Sequence, residues 1–132
     1  MRKVAPQRVP LGTIRIPSRA KAYVREALRE GRLTYGRFSR AFERRFAELH
    51  RVREAVVTSS GTCALEVALA ALKLTDRWRD RDEVIVPATT FVATVNTVLH
   101  QRLKPVFVDV DPIYFEMTAE QLAAKVTRRT RA

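Results

Sequence analysis

A run of small polar residues, Thr58-Ser59-Ser60-Gly61-Thr62, separates two apolar stretches of the chain. It follows Ala55-Val56-Val57, which reads as a short strand. It precedes residues 63–72, apolar apart from Glu66, which read as a helix hydrophobic on every side and therefore buried. A strand that ends in such a turn and feeds a helix leaves the helix's first N–H groups free. The helix dipole adds partial positive charge, Gly61 allows a ligand close to the backbone, and the hydroxyls can donate. That is a place for a phosphate. The same residues also make an ordinary helix N-cap, and no Gly-Lys-Ser/Thr follows as a nucleotide-binding P-loop requires.

A second candidate lies in Pro87-Ala88-Thr89-Thr90-Phe91, after the apolar run Val84-Ile85-Val86. Ligands of open α/β sheets bind outside the carboxyl ends of strands, so Phe91 at the start of the next helix could lay its ring on a planar aromatic group. Core packing accounts for that ring equally well. A phosphate turn on one loop and a stacking ring on the next would together suit a phosphorylated aromatic cofactor.

Other reactive residue types read more plainly. Asp109-Val110-Asp111 has the Asp-x-Asp form that can hold a divalent ion, but its place after the apolar run Val106-Phe107-Val108 reads as a strand end and turn, with no metal site. His50 and His100 have no neighbours at ligand spacing and read as helix-surface residues. Cys63 reads as a small core residue whose thiolate is suppressed by apolar surroundings. Trp78, among charges, reads as a loop or interface anchor, and Lys73 and Lys104 as surface residues.

The elements that would position these groups follow from periodicity. Ser18 precedes an amphipathic stretch that stops at Gly31, a capped helix with a glycine stop. After the connector Arg32-Leu33-Thr34-Tyr35-Gly36, a second helix carries Phe38, Ala41, Phe42, Phe46 and Leu49 on one stripe. Its Arg37, Arg40 and Arg44 fall largely on the other, solvated side. Beyond residue 54 the order is strand, helix, strand, helix, strand. The strands are continuous apolar runs, which indicates a parallel sheet covered on both faces with right-handed connections. Thr118 and Gln121 form a capping box for a last helix through Val126, after which no closing element is evident.

Length and composition fit this reading. The 132 residues are 46% hydrophobic and 30% charged, a globular composition that excludes collagen and disorder. A single cysteine needs no oxidising compartment, and no leader or membrane-spanning run is evident, so a cytoplasmic protein with no membrane partner is expected. The net charge is +11, and residues 1–53 supply all of the excess, with 15 Lys or Arg against 4 acids. That region lacks interleaved aromatics and zinc-ligand spacing, so no nucleic-acid partner is expected.

Three segments in order carry a family resemblance: Thr58-Ser59-Ser60-Gly61-Thr62-Cys63-Ala64-Leu65; Asp82-Glu83-Val84-Ile85-Val86-Pro87 running into Thr90-Phe91-Val92-Ala93-Thr94; and Pro105-Val106-Phe107-Val108-Asp109-Val110-Asp111. They resemble the successive signatures of the DegT/DnrJ-type sugar aminotransferases, from about Pro10 to the last residue, and Thr34-Tyr35-Gly36 is similar to that family's N-terminal loop. The resemblance implies an α/β fold: part of the large domain of the fold type I pyridoxal-phosphate-dependent transferases, three-layered with a mostly parallel sheet and preceded by N-terminal helices. The expected organisation is an extended segment over 1–17, basic helices over 18–53 and the first part of the cofactor domain over 54–132.

The resemblance also implies roles. Gly61 and Thr62 would hold the phosphate of pyridoxal 5'-phosphate, with Ser60 as a neighbour, and Phe91 would stack on its pyridine ring. The Thr34, Tyr35 and Gly36 loop would lie near substrate. The implied reaction transfers an amino group from a donor such as glutamate to a keto sugar, nucleotide-linked, in a homodimer. Such chemistry needs a Schiff-base lysine. None of Lys3, Lys21, Lys73, Lys104 and Lys125 falls at the family's position. The chain is therefore expected to be the N-terminal third of such an enzyme, with no catalytic residue of its own. The alternative is a non-catalytic binding or assembly module. Two loops depart from the family pattern: residues 75–81, where a shorter glycine-containing turn is usual, and Gln101-Arg102-Leu103.

Overall fold

The computed structural model describes residue 12 and residues 14–132. Most of the expected extended segment 1–17, and Pro10, lie outside the described residues. The chain divides into two compact units, Met1–Ala55 and Val56–Ala132.

The first unit holds α1 (Ser18–Arg29) and α2 (Arg37–His50). Ser18 is not the cap expected of it: Pro17 occupies the N-cap and no side chain caps the helix, so Ser18 is the first helical residue. Gly31 does stop α1. It sits at φ 63°, and Arg32 N–H reaches back to the Ala27 carbonyl at 3.2 Å. Arg51 closes α2 in the same left-handed way at φ 54°, with Val52 N–H on the Ala47 carbonyl at 3.0 Å. The two helices meet through the rings of Tyr23 and Phe38, 5.1 Å apart, and through Arg37, which pairs with Glu26 and, at 3.0 Å, with Glu30. Of the predicted apolar stripe of α2, Phe42, Phe46 and Leu49 are exposed, and only Ala47 in this helix is buried.

The second unit holds α3 (Gly61–Thr75), β1 (Glu83–Pro87), α4 (Val92–His100), β2 (Lys104–Val108) and the short α5 (Ala119–Ala123). Strands β1 and β2 pair in parallel from Glu83↔Lys104 to Pro87↔Val108, with α4 as the crossover. Residues 129–132 lie along the other edge of β1. Glu83 and Thr130 form a parallel bridge, and Arg131 N–H and Ile85 N–H bond the Glu83 and Ala132 carbonyls at 2.8 and 2.7 Å. The chain end thus adds to the sheet, where the sequence showed no closing element. The Thr118–Gln121 capping box is present, although α5 ends at Ala123 rather than Val126.

The core gathers Trp78, Val84, Val86, Val98 and Leu103, with Leu69 and Val95 packed against it. Trp78, on the loop after α3, anchors that loop in the core beside residues of β1 and Leu103, where apolar burial outweighs the polarity of its neighbours in sequence. Three further expectations are corrected. Residues 55–57 form no strand, because a strand exists only where a neighbour supplies its hydrogen-bond ladder. Helix α3 has no buried residue, and Leu65, Val67, Leu72 and Leu74 are exposed; apolar composition gives a helix the capacity for burial, and packing partners decide it. In the sheet, β1 is buried or half-buried on both faces among the described residues, and Phe107 of β2 is half exposed. The third correction is Lys73: read as a surface residue, it is mostly buried, its ammonium donating at 2.6 Å to both Asp80 Oδ1 and the Gln101 carbonyl. It ties the end of α3 to the end of α4.

The carboxylates that open β1 are buried and fully engaged. Asp82 accepts from Arg79 N–H at 3.0 Å and Arg131 Nε at 2.9 Å, and these bonds hold its carboxyl below the usual range. Glu83 accepts from the Thr127 hydroxyl at 2.6 Å and Lys104 Nζ at 2.9 Å, with the same consequence.

Candidate functional site

Ser60 begins α3 in extended backbone, φ −161° and ψ 165°, and its hydroxyl accepts from Cys63 N–H at 3.2 Å. Its carbonyl takes the Thr58 hydroxyl at 2.9 Å and Ala64 N–H at 3.0 Å. With Ser60 spent on the cap, the N–H groups of Gly61 and Thr62 find no acceptor among the described residues, and neither does the Thr62 hydroxyl. A Cβ on Gly61 would meet nothing within 4 Å, so this helix start faces open space.

Phe91 is the N-cap of α4, and the residue is 74% exposed, which removes the core reading left open by the sequence. Gly61, Thr62 and Phe91 line one cavity of about 690 Å³, together with Leu65, Ala68 and Thr94. The first turns of α3 and α4 both border it, so two helix N-termini contribute partial positive charge. Small side chains, Ala64, Ala68 and Ala93, make room between them. Ser60 does not line the cavity. Thr94, which the sequence reading passed over, does; its hydroxyl accepts from the Thr90 hydroxyl at 3.1 Å. Its signal was a hydroxyl in the first turn of the helix that Phe91 caps. The donor set, exposed ring and space fit a flat, phosphorylated aromatic ring.

Cys63 departs from its reading as an inert core thiol. It is half-buried, the Ser59 hydroxyl donates to Sγ at 3.2 Å, and the Ser59 hydroxyl first and then the Ser60 hydroxyl draw the thiol below its ordinary pKa.

The Thr34, Tyr35 and Gly36 loop belongs to the first unit. Thr34 and Gly36 line a smaller cavity of about 290 Å³ with Val24, Leu28 and Leu33. Tyr35 does not line it: its hydroxyl donates to Glu43 Oε2 at 2.6 Å, and that bond pushes the phenol above its usual pKa. Asp109 and Asp111 serve backbone turns, Asp111 Oδ1 accepting from the N–H groups of Ile113 and Tyr114 at 2.8 and 2.9 Å. His100 Nδ1 lies 2.6 Å from Glu66 Oε1 on the surface, and the His50 ring lies 4.2 Å from that of Phe46. Among the described residues no three His, Cys, Asp or Glu side chains cluster as a metal site, and no helix is long and apolar enough to cross a membrane.

A parallel β–α–β layer with an open helix start and an exposed ring beyond the strand end is the framework of the fold type I pyridoxal-phosphate-dependent transferases. The solved structure of GDP-4-keto-6-deoxy-D-mannose-3-dehydratase from E. coli, with bound hydrated pyridoxal phosphate, superposes with a TM-score of 0.85 at 29% identity, covering 92% of this chain and 32% of that one. The profile of the DegT/DnrJ/EryC1/StrS aminotransferase family matches residues 15–132, and the chain belongs to that family. Among curated relatives, GDP-perosamine synthase of Escherichia coli O157:H7 is 34% identical over 125 residues, 94% of this chain and 33% of the relative. The UDP-N-acetyl-3-dehydro-alpha-D-glucosamine 3-aminotransferase of Acidithiobacillus ferrooxidans is 44% identical over 97 residues, 74% of this chain and 25% of the relative. The chain spans about a third of the length of the first of these relatives and a quarter of the second.

Proposed function

We propose that this chain is the phosphate-binding part of a pyridoxal-phosphate-dependent aminotransferase that passes an amino group from an amino acid such as glutamate to a keto sugar carried on a nucleotide. The observation that carries the reading is the single cavity shared by Gly61, Thr62 and Phe91. In this reading the N–H groups of Gly61 and Thr62 and the Thr62 hydroxyl hold the phosphate ester, with both helix N-termini opposing its charge. Phe91 lies against the ring, and Ser60 keeps the turn in shape through its bond to Cys63 N–H. When bound, the cofactor supplies an electron sink for the carbanion formed at the amine-bearing carbon. Tyr35, held as a neutral phenol by Glu43, keeps oxygen lone pairs to accept a hydrogen bond from a sugar hydroxyl. The GDP and UDP in the relatives' names support the nucleotide-linked substrate, and a cytoplasmic homodimer is part of the same proposal.

None of Lys21, Lys73, Lys104 and Lys125 lines the cavity, and this reading takes the Schiff-base lysine from outside the described residues. The same observation favours the second reading, a non-catalytic binding module on this fold. One experiment separates them. The protein, produced in its natural reading frame, is loaded with pyridoxal phosphate, gel-filtered, and then given glutamate with a GDP- or UDP-linked keto sugar. Retained visible absorbance, with 2-oxoglutarate and amino sugar formed in equal amounts, is the expected result. Retention without turnover supports the module, and a folded protein that retains no coenzyme overturns both.

A further inference from the structure

The loop between α3 and β1 lines a cavity separate from the two described above. This cavity, of about 780 Å³, lies at the amino end of β1, whereas the one holding Gly61 and Phe91 lies beyond that strand's carboxyl end. Five arginines, Arg77, Arg79, Arg81, Arg129 and Arg131, line it against two carboxylates, Asp80 and Asp82. Both carboxylates are already engaged. Asp80 pairs with Lys73 at 2.6 Å and Arg102 at 3.0 Å, and Asp82 pairs with Arg131 at 2.9 Å. The side chains of Arg77, Arg79, Arg81 and Arg129 form no ion pair or hydrogen bond among the described residues. Arg79 and Arg129 act on Asp82 and Glu83 only through longer-range charge.

The backbone that carries these groups is pinned. Trp78, between Arg77 and Arg79, is buried in the core, and Trp78 N–H bonds the Lys73 carbonyl at 3.0 Å. Arg81 N–H bonds the Arg102 carbonyl at 2.8 Å, Asp82 N–H bonds the Arg79 carbonyl at 3.1 Å, and Arg79 N–H bonds the Asp82 carboxylate. Arg77 and Arg81 hold left-handed backbone, φ 55° and 68°, where glycine is the usual occupant. A loop that keeps arginine at two such positions and fixes its own backbone presents its guanidiniums at low cost in ordering.

We propose that this cavity binds a polyphosphate anion, its four uncommitted guanidiniums gripping two or more linked phosphoryl groups. Each guanidinium fork matches a pair of phosphate oxygens, and a cavity of about 780 Å³ lined by four such forks has room and donors for more than one phosphoryl group.

The test is calorimetric titration of the intact chain at physiological ionic strength with inorganic tripolyphosphate and, separately, with inorganic phosphate. Tripolyphosphate is expected to bind one per chain, about ten-fold or more tighter than phosphate. The R77G/R81G variant keeps the left-handed backbone, removes two guanidiniums and is expected to weaken binding about ten-fold. The R25Q/R29Q variant loses the same charge from α1 and is expected to stay within about two-fold. Emission from the buried Trp78 verifies that each variant is folded. No saturable binding by folded protein, or equal losses in the two variants, would overturn the proposal. So would tighter binding to a random DNA duplex that is lost in the same loop variant, which would assign the arginines to nucleic acid.

Discussion

Thr127 Oγ1 donates to Glu83 Oε2 at 2.6 Å, joining residues 44 positions apart and fastening the last segment of the chain to the first residue of β1. The hydroxyl, followed by Lys104, depresses the Glu83 pKa, and a depressed carboxyl stabilises the fold above the usual carboxylate range. That contribution disappears as pH falls through the folded-state value, because the proton then enters both states. Thr127→Val is therefore expected to lower the thermal midpoint at neutral pH, and the gap from the parent protein should narrow as pH drops into the acid range. Melting curves across pH check this. A gap that stays constant with pH would mean that the hydroxyl only packs.

Trp78 is 8% exposed and is the only tryptophan. Its emission should lie to the blue and move red on unfolding. Trp78→Ala empties the largest site in the core and is expected to cost about 3–5 kcal/mol, with Trp78→Phe costing much less. Urea unfolding followed by circular dichroism measures both. A loss under about 1 kcal/mol for the alanine variant would show that the ring is peripheral.

Features set by neighbours in sequence could be read from the sequence. The Gly31 stop, the Thr118–Gln121 box and the runs of β1 and β2 rest on local sterics and hydrogen bonds, and so does the Ser60-Gly61-Thr62 turn. Features set by distant partners could not. Trp78 could be read as a loop anchor, but its immediate neighbours Asp76, Arg77, Arg79 and Asp80 give no sign of the partners it finds in the core, Val84 and Val86 of β1, Val98 and Leu103. Residues 55–57 have a strand's composition without a ladder, and α3 has a buried helix's composition with exposed leucines. Ser60 shows the same division within the site. Its hydroxyl could serve a ligand or the helix, and the folded chain sets it on Cys63 N–H.

The two helices of the first unit close on opposite choices at one geometry, Gly31 at φ 63° and Arg51 at φ 54°. A side chain in left-handed backbone costs about 1 kcal/mol, offset in part because glycine leaves the unfolded chain freer. Gly31→Ala should therefore destabilise by about 1 kcal/mol and Arg51→Gly should stabilise by up to that amount. Thermal melting of both variants checks the pair. Opposite signs are expected, and matching signs would mean that side-chain contacts of Arg51 outweigh its backbone strain.

Phe91 separates a cofactor platform from a structural residue because it is 74% exposed. A side chain this exposed buries little apolar area among the described residues, so Phe91→Ala should leave the unfolding midpoint nearly unchanged. If the ring stacks on pyridoxal phosphate, the lost contact is worth about 0.5–1.5 kcal/mol, which raises the coenzyme's Kd roughly two- to twelve-fold. Phe91→Tyr keeps the aromatic face and should keep the affinity. Thr62→Val removes one phosphate donor while leaving the ring, and its loss should disappear when pyridoxal without phosphate is titrated, whereas the Phe91→Ala loss should persist. Equilibrium titration of the four proteins with both ligands resolves the two roles. Unchanged affinity in Phe91→Ala would remove the stacking role, and a drop in stability beyond about 2 kcal/mol would return the ring to the core.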